Sequence, residues 1–142
     1  MDSQRMNELS VLLGHLMKNQ MLTVQRKLEE HGLCRAQPGI VHILSKCDGL
    51  TQVELANKMC VTPATVSAML KRMERDEVIE RRRSLEDQRV THVYLTDKGK
   101  DQAKIVNQVF QELSVQGFGN FTEEELTQAK CILTKLTENF KD

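Results

Sequence analysis

The side chains with chemistry to offer lie between Thr62 and Arg89. Thr62-Pro63-Ala64-Thr65-Val66-Ser67 reads as a helix start, with Thr62 as cap and Pro63 at the first helical position, where its missing N–H costs nothing. Beyond it Val66, Met69, Leu70 and Met73 share one helical face. At 100° per residue the opposite face holds Ala64, Ser67, Ala68, Lys71 and Arg75, flanked by Thr65 and Arg72. Small residues near a helix N-terminus can approach base edges, and basic ones further along can reach phosphates. A second basic group follows at once. Arg81, Arg82, Arg83 and Arg89 flank the polar stretch Ser84-Leu85-Glu86-Asp87-Gln88. The candidate chemistry is recognition of double-stranded DNA, by Thr62, Ala64, Thr65, Ser67, Ala68, Lys71, Arg72 and Arg75 from the helix and by Arg82, Arg83 and Arg89 from the stretch after it.

Any such contact must come from arrangement rather than bulk charge. The 142 residues carry twenty basic and twenty acidic side chains, so the net charge is zero with His neutral. That excludes a histone-like tail or a purely electrostatic coat. Residues 51–100 hold a net +2 and residues 101–142 a net −3, which places polyanion contact in the middle third. Even there Glu80, Glu86 and Asp87 are interleaved with the arginines.

Other chemistries find less support. There is no Gly-rich phosphate loop and no nucleophile-base order attached to a strand-turn-helix, so an enzyme is not expected. No cofactor is expected either. Cys34, Cys47, Cys60 and Cys131 form no C-x-x-C pair and are expected as reduced thiols. A zinc set built from His31, Cys34 and His42 with Glu29 or Glu30 lacks ligands, since Asn107, Gln108 and Gln111 stand where a His-x-x-x-His pair would be needed. No apolar run approaches the ~18 residues of a membrane span. The first residues show no signal-peptide core, so a cytoplasmic protein is the expectation.

The elements that must position the basic groups can be read from periodicity. A long first helix carries Leu9, Leu12, Leu13, Leu16, Met17, Val24 and Leu28, and Gly32 stops it. A second helix follows Pro38, with Ile40, Val41, Ile43 and Leu44 inward and Gly49 as its terminating glycine. Leu50-Thr51-Gln52-Val53-Glu54-Leu55 has the cap, box and staple of a third helix start, running to about Met59. The helix after Thr62 ends near Arg75–Glu77. The period then changes to two over Val78–Arg83 and Val90–Leu95, a β-hairpin with a long tip. Thr96 opens a fifth helix that Gly117 and Gly119 should break. Phe121-Thr122-Glu123-Glu124-Glu125-Leu126 opens a sixth, with Leu126, Ala129, Leu133, Leu136 and Phe140 in a coiled-coil-like seam. The expected fold is mainly α with a small β-hairpin wing: about six helices, dimeric.

In this order, the chain resembles the MarR-type winged helix-turn-helix regulators. The resemblance rests on Leu50-Thr51-Gln52-Val53-Glu54-Leu55-Ala56, Pro63-Ala64-Thr65-Val66-Ser67, Val78-Ile79-Glu80-Arg81-Arg82, Asp87-Gln88-Arg89 and Val93-Tyr94-Leu95-Thr96-Asp97-Lys98-Gly99. It implies a homodimer that binds a pseudo-palindromic operator, usually as a repressor, with residues 1–32 and 97–142 serving dimerisation and residues 33–96 forming a winged helix-turn-helix lobe. It also implies that Arg89 enters a minor groove while Asp87 helps hold it. A small aromatic effector between the dimer helices and the DNA-binding lobe is a further implication, for which His15, Met17, Met21 and His42 are the candidate lining, with core filler the plainer reading of the methionines. Alternatives are a thiol- or metal-responsive regulator of the same fold, or a helical protein-interaction adaptor that does not touch DNA. Three positions depart from the family pattern. Cys60 and Glu77 stand where relatives commonly have glycine, and Cys34 where relatives often cap the second helix with Thr. A positive φ at Cys60 would cost about 1 kcal/mol, unless the turn does not need it.

Overall fold

The computed structural model describes residues 2–33 and 37–141, so the expected cap at Cys34 lies outside the described residues. Helix α1 spans Ser3–Glu30, opened by the Asp2 carboxylate, which accepts the Arg5 N–H. It closes as Gly32 allows: at φ 75° the glycine lets its own N–H reach the Glu29 carbonyl and that of Leu33 reach the Leu28 carbonyl, both at 2.9 Å. Leu28 is the helix's one buried residue. Leu9, Leu12, Leu16 and Met17 remain 58–62% exposed in the single chain.

Helix α2 (Pro38–Lys46) starts from Gln37 with Pro38 in its first turn and buries Ile40, Val41 and Leu44. It ends at Cys47, so Gly49 is not its terminating glycine as expected. Gly49, at φ 77°, instead leads into a short strand, β1 (Leu50–Thr51), where a Cβ would stand 2.8 Å from the Tyr94 ring. Thr51 then caps α3 (Gln52–Met59), its hydroxyl accepting the Glu54 N–H at 3.1 Å. Helix α4 (Pro63–Arg75), strand β2 (Ile79–Arg83) and strand β3 (Thr91–Leu95) complete the lobe.

The strands form an antiparallel sheet in the order β1-β3-β2, one strand more than the expected hairpin. Leu50 pairs with Val93, Ile79 with Leu95 and Arg81 with Val93. Alternation then sends Ile79, Val93 and Leu95 inward. They meet Leu55 and Ala56 of α3 and Val66, Leu70 and Met73 of α4 in one continuous core. Ala56 is small where α3 and α4 pack, which permits the close approach of a helix-turn-helix.

Helix α5 (Asp97–Phe118) begins against this core. The Thr96 hydroxyl accepts the Gly99 N–H at 3.1 Å and donates to the Glu77 carbonyl at 2.6 Å. Lys98 Nζ donates to the Asp76 carbonyl at 2.8 Å. Gly99 is buried so tightly that a Cβ there would lie 2.1 Å from the Val78 carbonyl oxygen. Ala103, Val106 and Val109 continue the buried side. Gly117 does not break the helix as expected. The helix runs through it to Phe118, and the turn comes at Gly119 and Asn120.

Residues 1–110 and 111–142 are two compact units, and α5 straddles the divide. In the second unit Thr122 and Glu125 form a complete capping box for α6 (Glu123–Asn139). Phe118 and Phe121 meet edge to face at 5.4 Å across the α5–α6 turn. Of the expected seam, Leu126, Ala129 and Leu136 are half-buried and Leu133 is 43% exposed. Phe140 caps the helix rather than continuing it and is 77% exposed.

The two α5 glycines should respond to alanine in opposite directions. Gly99→Ala must displace backbone and should cost about 2 kcal/mol. Gly117→Ala meets nothing within 4 Å and should stabilise by roughly 0.5 kcal/mol, because alanine loses less backbone entropy in a helix. Urea unfolding of both variants checks this; equal effects would contradict the assigned packing.

Candidate nucleic-acid interface

The turn between α3 and α4 is where the fold sets the angle of its outer helix. Cys60 sits at φ 55°, ψ 40°, the left-handed region. The Cys60 N–H reaches the Asn57 carbonyl and the Val61 N–H the Ala56 carbonyl, each at 3.2 Å. The turn therefore does need the conformation that glycine supplies without strain. Glu77, at φ 62°, repeats the arrangement after α4, with Val78 N–H bonded to the Met73 carbonyl at 2.9 Å. Helix α4 thus has a non-glycine left-handed residue at the turn before it and another just beyond its end.

Between them the expected face is open. Thr62 caps α4: its hydroxyl oxygen accepts the Thr65 N–H at 3.2 Å and lies 2.9 Å from the Thr65 hydroxyl. Ala64, Thr65, Ala68, Lys71, Arg72 and Arg75 are exposed, and Ser67 is half-buried. Arg75 lies 3.7 Å from the Asp76 carboxylate. The buried side is Val66, Leu70 and Met73, as the spacing requires.

The wing tip is held by its own polar side chains. Ser84 N–H donates to the Val90 carbonyl at 2.8 Å, and Ser84 Oγ accepts the Glu86 N–H at 3.2 Å. Asp87 Oδ1 accepts the Arg89 backbone N–H at 3.0 Å. Asp87 thus fixes the main chain of Arg89, while Arg83 and Arg89 themselves are exposed. Arg82 pairs with Glu80 and lies over the Tyr94 ring at 4.4 Å.

Arg81 departs from the expected basic wing. Its Nε and Nη2 bond both oxygens of Glu74 on α4, at 3.1 and 3.0 Å, and its side chain is 22% exposed. The bidentate bond holds the Glu74 carboxyl below its ordinary value, with burial opposing, and raises Arg81 in turn. A depressed carboxylate supports the fold above its ordinary range and loses that support as the pH falls through the folded value. Spacing alone gave no signal for this pair, since Glu74 lies seven residues away across a corner.

The MarR family model matches residues 33–91. The chain is 29% identical over 135 residues to the HTH-type transcriptional repressor MdtR of Bacillus subtilis (strain 168), covering 95% of this chain and 87% of that protein. It is 30% identical over 113 residues to the homoprotocatechuate degradative operon repressor of Escherichia coli, covering 80% and 74%. The fold also matches MepR of S. aureus, solved as a DNA complex, with a TM-score of 0.86, 28% identity and coverage of 92% of this chain and 97% of that one. The chain belongs to the MarR family. It is a DNA-binding transcriptional regulator of winged helix-turn-helix architecture.

Within this MarR-family fold the four candidate effector residues are not alike. His15, Met17 and Met21 are exposed on α1. His42 is half-buried between α2 and α5, with Nδ1 2.7 Å from Asn107 Oδ1 and its ring edge-on to Phe110 at 4.9 Å. Asn107, where a metal ligand would be needed, is thus a hydrogen-bond partner of His42. Among the described residues no group of three or more His, Cys, Asp or Glu could hold a metal ion, and Cys47, Cys60 and Cys131 are free and exposed. No helix among them is long and apolar enough to cross a membrane.

The two strained corners yield a stability prediction. Cys60→Gly and Glu77→Gly each relieve about 1 kcal/mol of left-handed strain and lose roughly 0.5 kcal/mol of it to the greater freedom of glycine in the unfolded chain. Each should raise the unfolding free energy by about 0.5 kcal/mol in denaturant titrations. A loss of stability in either would contradict the corner geometry.

Proposed function

We propose that two copies of the chain bind a pseudo-palindromic operator as a homodimer and repress transcription until a small aromatic effector releases them. One observation carries the DNA-binding part: α4 presents an open face that is small at its start and basic at its end, beside a wing tip whose Arg89 is exposed while its backbone is clipped by Asp87. Thr62, Ala64, Thr65, Ser67 and Ala68 would face bases. Lys71, Arg72 and Arg75 would meet phosphates, and Arg82, Arg83 and Arg89 would follow the adjacent backbone and minor groove.

The dimer is supported by the apolar residues that a single copy leaves in water. Leu9, Leu12, Leu16 and Met17 on α1 are exposed in the single chain, and so are Ile132 and Leu133 on α6. Residues 1–32 and 97–142 are accordingly assigned to dimerisation and 33–96 to DNA binding. His15, Met17, Met21 and His42 are assigned to the effector, whose aromatic ring would require apolar surroundings when bound.

Selection of bound fragments from genomic DNA of the source organism tests the reading. The expected product is one sequence class with two half-sites about one helical turn apart. Recovery of no sequence class would leave a protein-interaction adaptor. On the selected fragment, Arg89→Ala should weaken binding by about 1–3 kcal/mol with melting unchanged. Ser67→Ala should change the ranking of single-base operator variants. Lys71→Ala should weaken all of them alike and lower the salt slope by about one. The reverse pattern at Ser67 and Lys71 would contradict the assigned helix face.

A further inference from the structure

The pairing register puts Arg81 opposite Val93, and directly opposed residues share a face of the sheet. Val93 is fully buried. Arg81 is therefore a cation on the inner face, turned toward α4, whereas Glu80 and Arg82, its chain neighbours, point the other way. The inner position explains the contrast in exposure: 22% for the Arg81 side chain against 62% for that of Arg82. Glu74 is the last residue but one of α4, on the far side of the left-handed corner at Glu77. The fork thus spans the corner and ties the strand that leads to the wing tip directly to the helix it stands beside. A bidentate guanidinium–carboxylate pair fixes direction as well as distance, which a lysine in place of Arg81 would not.

We propose that the Glu74–Arg81 fork is a positioning clamp for operator recognition, holding the wing and its Arg89 in one fixed relation to α4 so that both reach the same DNA segment. The inference rests on the DNA-binding reading. Neither residue is placed at the DNA; each acts through the wing. The clamp predicts a sign that charge alone does not. Removing the Glu74 carboxylate raises the net charge by one beside a basic face, which favours association with a polyanion. Loss of the clamp works the other way, because the wing contact is no longer prepaid in geometry.

The test is a double-mutant cycle with the full chain and the fragment selected by the wild type, at fixed salt, with thermal melting alongside. Glu74→Gln should stay folded and weaken binding about fivefold, and Arg89→Ala should then cost less than half of its wild-type loss, roughly the coupling expected of residues that act as a unit. Arg81→Lys, which keeps the charge but not the fork, should show the same uncoupling from Arg89. Binding by Glu74→Gln as tight as or tighter than wild type overturns the clamp. So does an Arg89→Ala cost that is the same on both backgrounds, or an Arg89→Ala cost of nothing in the wild type, which leaves the wing with nothing to position. Wild-type protein that selects no fragment removes the DNA-binding reading itself, and the clamp with it.

Discussion

Gly99 lies so close to the Val78 carbonyl that no side chain fits between them. That approach brings the start of α5 under the corner where α4 becomes β2. The carbonyls of Asp76 and Glu77 are then taken by Lys98 and Thr96. A helix end with unpaired carbonyls would fray into solvent; here a second helix satisfies them. The end of α4 and the departure of β2 are both held at this one contact. A left-handed Glu77 is tolerated there, since surrounding bonds over-determine its conformation.

The same economy governs the charges. The chain is electrically neutral, so a DNA-facing surface cannot depend on bulk attraction. Two carboxylates near that surface act on geometry instead. Asp87 fixes the main chain of Arg89, and Glu74 holds Arg81 on the inner face of the sheet. What remains outward is a short set of cations on α4 and at the wing tip. On the proposed reading the place where these few cations are held sets the register of the protein on DNA, and the small residues at the start of α4 read sequence.

Much of this was legible from residue spacing. The caps at Thr51, Thr62 and Thr122, the stop at Gly32 and the inward sides of α4 and β3 are local features, and local rules read them correctly. The failures were non-local. Strand β1 is two residues long and exists because β3 is beside it. Gly49 and Gly99 look like ordinary punctuation, yet each answers to a distant group, the Tyr94 ring and the Val78 carbonyl. Gly117 carries the same letter and is carried through a helix. Arg81 reads as one of a basic run until pairing register turns it inward. Cys60 marks a limit of another kind: its position called for glycine, and the turn kept the conformation while the sequence did not keep the residue.

On the proposed reading a neutral chain recognises DNA through a few cations held in fixed positions. The salt dependence of wild-type binding to its selected fragment, measured between about 50 and 200 mM with and without non-specific competitor DNA, addresses it most directly. The account predicts a steep fall in affinity with salt while preference over the competitor persists. Binding that ignores salt, or that the competitor abolishes at equal concentration, would contradict it.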